Sequence, residues 1–275
     1  MGIAAQNYAA TFKGLPMGLG TTENHVRKGA TFVKEGLFTE MLRYMEEQAV
    51  YDRIEFNYYL PPAKPYYNDP ARDVPVAAYI CPEWPESRVT GQTPVGAPLY
   101  EYQWGAVCTY NGVGGVVYAG EKTIPTVGFG DLPINGAFVA QKGLVGLTTF
   151  LKGVRRKLSQ ITDGQSNSFM IGEFFHRNCE AGRITEEAPG NTRPYYLSGY
   201  PGAPYQFKVL DNGPNTCVTR LDTPFNYLPM GSYHPGLTMF VKVDGSVHVV
   251  NNDIDIKTYQ SLGTVSGNEV IAAPL

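Results

Sequence analysis

Residues 232–264 read SYHPGLTMFVKVDGSVHVVNNDIDIKTYQSLGT, and the fold turns on how the centre of this stretch is read. Apolar residues recur at every second position from Thr238 to Val243 (Met239, Val241, Val243) and from Ser246 to Asn251 (Val247, Val249), with Asp244-Gly245 between the two runs. A period of two marks a half-buried strand. Asp-Gly between two such runs predicts a β-hairpin with a two-residue type I′ turn, whose central positions both need positive φ. Met239, Val241 and Val243 then share one face, with Val247 and Val249 close behind. Nine residues separate His234 from Asp244. An acid–base pair would have to touch, whereas an extended chain of that length spans on the order of 30 Å. The pattern therefore predicts two structural tasks. Asp244 and Gly245 make the turn, and His234, ahead of Pro235-Gly236, fixes the start of the strand by hydrogen bonding to backbone.

Working outward, FTEMLRYMEEQAVY (Phe38 to Tyr51) carries the strongest helical pattern, with Phe38, Met41, Leu42, Met45, Ala49 and Tyr51 as its apolar face. Ile3 to Phe12 reads as the last turns of a helix, with Ile3, Tyr8 and Phe12 near one face and Gly14 placed to end it. It opens in full stride at residue 1 and so looks cut. Prolines recur from Pro61 to Pro98, which predicts mostly extended loop, with VAAYICP as a short edge strand. ITDGQSNSFMIGE (Ile161 to Glu173) places an Asp-Gly turn before an apolar strand, Phe169-Met170-Ile171.

The chain has 22 basic and 25 acidic residues and no dense Lys/Arg run beyond Arg155-Arg156-Lys157, which argues against nucleic acid and anionic membranes as partners. Charged residues are only 17%, while Gly (31), Pro (21) and Tyr (19) abound, as expected of short strands joined by turns and long loops. Cys81, Cys108, Cys179 and Cys217 form no CxxC pair. Chain order favours disulfides Cys81–Cys108 and Cys179–Cys217, each bracketing a Gly/Pro-rich region, although three connectivities are open and four buried free thiols are the alternative.

The four histidines (His25, His176, His234, His248) form no HExxH, and there is no GxSxG elbow or phosphate loop. Zinc chemistry is not expected, and neither a catalytic residue nor a cofactor is assigned. Asp244, Asp253 and Asp255, with Asn251 and Asn252, offer oxygens of the kind calcium takes, but the spacing is not that of an EF-hand. The alternative is that they are turn and cap carboxylates. Trp84 and Trp104 are either core residues or stacking platforms for a glycan. An enzyme would need a pocket in which His234 or His176 meets a carboxylate.

With these residues in view, the His-x9-Asp-Gly segment and the closing LGTVSGNEVI resemble the C-terminal signature of bacterial prepilin-like proteins, best represented in planctomycetes, that carry a domain of unknown function. MGIAAQNYAATFKGLPMG resembles the segment after that family's prepilin helix. GLFTEMLRYMEEQAVYDRIEFN resembles its Leu-Glu-Gln helix, AAYICP its loop cysteine and ITDGQSNSFMIGE its ITDG-type strand. The motifs occur in order and cover nearly the whole chain. Such proteins begin with a basic leader and an apolar membrane helix, which this sequence does not contain. The resemblance implies an α+β, pilin-like fold in a single domain, with an N-terminal helix packed on an antiparallel sheet. Residues 1–57 would form the helical part, 58–230 a loop-rich β part and 231–275 the hairpin part. It further implies a non-enzymatic, exported pilin or pseudopilin-like subunit of a filament, type IV pilus, type II secretion apparatus or cell surface. Its partners would be copies of itself and other pilus or secretion components, and it would meet the membrane only through the absent helix. An extracellular glycan-binding module is the alternative.

Overall fold

The computed structural model describes residues 1–29, 33–56, 69–85, 87–90, 105–118, 120–175, 178–180, 183–186, 193–195, 199–200, 202–219 and 222–267. The strands that matter here are β1 (Gly105–Cys108), β2 (Tyr110–Val113), β3 (Val139–Val145), β4 (Thr148–Val154), β5 (Phe169–Glu173), β6 (Phe207–Lys208), β7 (Leu237–Lys242) and β8 (Val247–Asn251). The helices are α1 (Gly2–Phe12), α2 (Glu23–Arg27), α3 (Leu37–Met41), α4 (Gln48–Tyr51) and α5 (Ile256–Ser261). The organising element is a five-stranded sheet ordered β6-β2-β5-β7-β8, antiparallel except for the β6–β2 pair. Strands β3 and β4 form a separate antiparallel hairpin, so the chain is a mixed α+β fold with few helices and antiparallel sheets.

The strand read from FMI is β5, and its five residues are all buried, as a central strand requires. Phe169 and Phe240 stack at 4.4 Å and join Val250 with Tyr259 and Leu262, in and just after α5, in one apolar cluster. Ile171, Val241 and Val243 join Ala4, Ala5 and Ala9 of α1 in another. Residues from all three stretches of the chain, 1–57, 58–230 and 231–275, meet in that second cluster.

The face by which α1 packs is not the expected one. Gly2, Ala4, Ala5, Tyr8 and Ala9 are buried, whereas Ile3 is 76% and Phe12 43% exposed. Small residues win because the backbone comes so close: a Cβ on Gly2 would meet Gly245 O at 2.4 Å and Val241 Cγ1 at 2.9 Å. The Gln6 side-chain amide donates to Val243 O on the same turn.

The helix expected over Phe38 to Tyr51 is broken into α3, a 3-10 turn at Leu42–Tyr44, and α4, with Glu46 at φ 62°. In one straight helix Met41 and Val50 would lie about 180° apart, at 3.6 residues per turn. Both are buried in one cluster, which only a break allows. VAAYICP forms no strand; it contains a 3-10 turn, Ala77–Tyr79, that buries Tyr79 instead.

The hairpin β7–β8 forms, but a two-residue turn at Asp244-Gly245 would set Val241 opposite His248, whereas Met239 lies opposite Val249 and Val241 opposite Val247, one residue away, because the turn differs. Lys242 N donates to Ser246 O and Gly245 N to Lys242 O, leaving a three-residue loop in which Gly245 takes φ 88° while Asp244 is not among the positive-φ residues. This is a tight turn followed by a left-handed glycine, which needs one positive φ rather than two. Val247 and Val249 are 65% and 47% exposed, because β8 is the sheet edge and α1 covers only the Val241 and Val243 part of their face.

Candidate functional site

Three residues from distant parts of the chain converge where β7 begins. Cys81 follows the 3-10 turn, Glu173 ends β5, and His234 lies in the loop before β7. Glu173 is held in register by β2, opposite Tyr110, and its backbone carbonyl accepts from Gly231 N. Its side chain is 1% exposed, with Oε2 accepting from Met239 N at 2.8 Å and Oε1 3.3 Å from His234 Nε2. The same Nε2 lies 3.5 Å from Cys81 Sγ. One ligand atom from each residue falls within 4.8 Å of the other two, the sole such group of three among His, Cys, Asp and Glu in the described residues.

Each member is fixed by its own supports. Cys81 N donates to Thr109 Oγ1 at 2.7 Å, and Cys81 O accepts from Trp84 N. Ser232 receives an amide bond from its own loop, His234 N to Ser232 Oγ, and donates through Oγ to Leu237 O. Asn215 Oδ1 accepts from Ser232 N. The backbone task expected of His234 therefore falls to Ser232, and the imidazole faces a thiol and a carboxylate instead. Trp84, Phe175 and Tyr233 pack around one side, with Trp84 5.5 Å from Phe175 and 5.7 Å from Tyr233. Trp84 is 8% exposed and belongs to an apolar cluster with Ile80, Val107 and Phe175, so it is core and not a stacking platform. Trp104 and His176 lie outside the described residues.

Burial, reinforced by a hydrogen bond to Glu173, pushes the Cys81 thiol up to about 12. A reactive cysteine needs the opposite shift. Burial first, then the Glu173 and Cys81 charges, raise the nearby Tyr110 phenol as well. A nucleophile–base–orienter triad would use both imidazole nitrogens, one for each partner. Here one nitrogen faces both Cys81 and Glu173, so the geometry is convergent rather than relayed.

The disulfide expected between Cys81 and Cys108 does not form; both are free thiols. Thr109 turns its hydroxyl to Cys81, and neighbours on an extended chain point to opposite sides. Cys108 therefore faces the interior, where Sγ donates to Tyr110 O at 3.4 Å. Cys217 is disulfide-bonded, and the side chain of Cys179 lies outside the described residues.

Nor does the structure bring His234 to Asp244. The Asp244 carboxylate accepts from Ser246 N and Ser246 Oγ inside its own turn. Asp255 caps α5 by accepting from Thr258 N, and Asp253 N donates to Asn251 Oδ1. The Asp244 and Asp255 carboxylates thus serve a turn and a cap, each bonded within its own segment. A family model described as "Protein of unknown function (DUF1559)" matches residues 1–257. The chain belongs to that family. No curated protein and no solved structure matches it.

Sequence reasoning named His234 and Cys81, in other roles, and missed Glu173. Glu173 carried one signal: a lone acid closing an otherwise apolar strand, FMIGE, that burial forces inward. A carboxylate there must find partners.

Proposed function

We propose that this family member is an exported, non-enzymatic, pilin-like subunit that assembles into, or is displayed on, a filament, secretion apparatus or cell surface. The observation that carries this reading is the docking of α1. Its small-residue face lies against the β7–β8 hairpin, while Ile3 and Phe12, 76% and 43% exposed, stay outside and offer apolar contacts to a neighbouring subunit. The resemblance of its ordered motifs to those of prepilin-like proteins supports it, as does the disulfide at Cys217, a bond that persists in oxidising compartments. Among the described residues no helix is long and apolar enough to cross a membrane.

Electron microscopy of the protein purified from its native cells, expressed from its complete reading frame, tests the reading. A regular filament, or an envelope-associated assembly containing the protein, is expected. A monodisperse monomer under all conditions would sink it.

A further inference from the structure

We propose that Cys81 Sγ, a Glu173 carboxylate oxygen and His234 Nε2 are three ligands of a zinc-class divalent metal site whose fourth position opens to solvent beside His234. The distances carry it. A metal about 2.3 Å from sulfur and about 2.0–2.1 Å from nitrogen and oxygen, with tetrahedral angles, places sulfur and nitrogen about 3.5 Å apart and nitrogen and oxygen about 3.3 Å apart. The structure has Sγ···Nε2 at 3.5 Å and Nε2···Oε1 at 3.3 Å, with all three donor atoms within 4.8 Å of one another.

Three further features point the same way. The donors converge on one imidazole nitrogen, as ligands around a common centre do, rather than forming a chain through both. Glu173 is 1% exposed, and a buried carboxylate calls for a cation or full hydrogen bonding. A thiol, an imidazole and a carboxylate together suit zinc better than calcium or magnesium, which prefer oxygen alone. The supports described above act as an outer shell: Met239 N fixes the second Glu173 oxygen, and Thr109 fixes the Cys81 backbone. The imidazole is 21% exposed, so the site lies near the surface, where a metal and a fourth, water ligand can enter. The claim is independent of filament assembly, because the site lies within a single chain.

The test is cobalt titration of the full chain after chelator treatment and dialysis, with circular dichroism confirming the fold. One equivalent of Co2+ should give a sulfur-to-cobalt charge-transfer band in the near ultraviolet and the visible bands of four-coordinate cobalt, and Zn2+ should displace both. Cys81→Ser should abolish the charge-transfer band. Glu173→Gln and His234→Ala should weaken Co2+ binding by about tenfold or more. Cys108→Ser, removing the other free thiol, should leave the spectrum unchanged. If Cys81→Ser does not fold, the wild-type protein still decides, since Zn2+ should raise its Tm. Absence of both the band and the Tm rise in folded wild-type protein would overturn the site. A band that survives Cys81→Ser, or one lost in Cys108→Ser, would do the same.

Discussion

The two ends of β7 carry the two halves of one sequence motif, and they are built on different principles. At the Asp244-Gly245 end the contacts are backbone-close, from the turn itself and from α1. A left-handed glycine closes the loop, Asp244 bonds within its own turn, and α1 rests on the result through Gly2 and the Gln6 amide. At the His234 end the contacts run between side chains, Cys81 and Glu173 both meeting the His234 imidazole. One end is a shape, set by close backbone approach and a left-handed glycine. The other is a chemistry, in which each group answers a specific neighbour.

That contrast can be broken by substitution. The largest effect is expected from His234→Ala, measured by urea unfolding with chelator present so that metal plays no part. Glu173, 1% exposed in the intact protein, loses its imidazole partner, which should cost about 1–3 kcal/mol. No measurable loss would mean that the pair contributes nothing on its own. Gly245→Ala comes next. The added Cβ meets Gln6 Cγ at 3.4 Å, ordinary contact, so the cost comes from φ 88° and should be about 1–2 kcal/mol. Hydrogen exchange should show the loosening in α1 and the hairpin, with the amide of Met239 unaffected. Exchange that accelerates equally at both ends of β7 would refute the separation.

The smallest effect concerns pH. Desolvation, the largest single influence on Asp244, raises its pKa, but the two Ser246 hydrogen bonds and Lys242 outweigh it and hold the carboxyl below its usual value. A depressed carboxylate contributes stability that is present above its unfolded pKa of about 3.9 and lost as pH falls through the lower folded value. Because Asp244 is exposed, screening should leave about a few tenths of a kcal/mol. The stability gap between wild type and Asp244→Asn should thus be constant above about pH 5 and shrink below it. A gap that stays flat into strong acid would show that the turn, not the charge, accounts for it.

Local patterns were legible wherever the deciding contacts were local. Alternation around Asp244-Gly245 placed β7 and β8, because strand period and turn position are set within a few residues, while their register moved by one residue with the longer loop. FMI placed β5 for the same reason. The pattern failed where long-range burial overruled local preference. The helix around Met41 had to break so that Val50 could reach the same core, and α1 turned its small residues inward because the hairpin backbone left no room for Ile3 or Phe12.

The candidate site was the least legible part. No spacing links Cys81, Glu173 and His234, and two of them had plausible local duties, one in a disulfide and one at a strand start. What the sequence by itself determined is therefore the hairpin and the central strand, which rest on periodicity, and the family, which rests on a match along residues 1–257. What only the tertiary structure decided is that His234 faces a buried carboxylate and a free thiol. Those three side chains are brought together by sheet register and loop anchoring, which no stretch of neighbouring residues encodes.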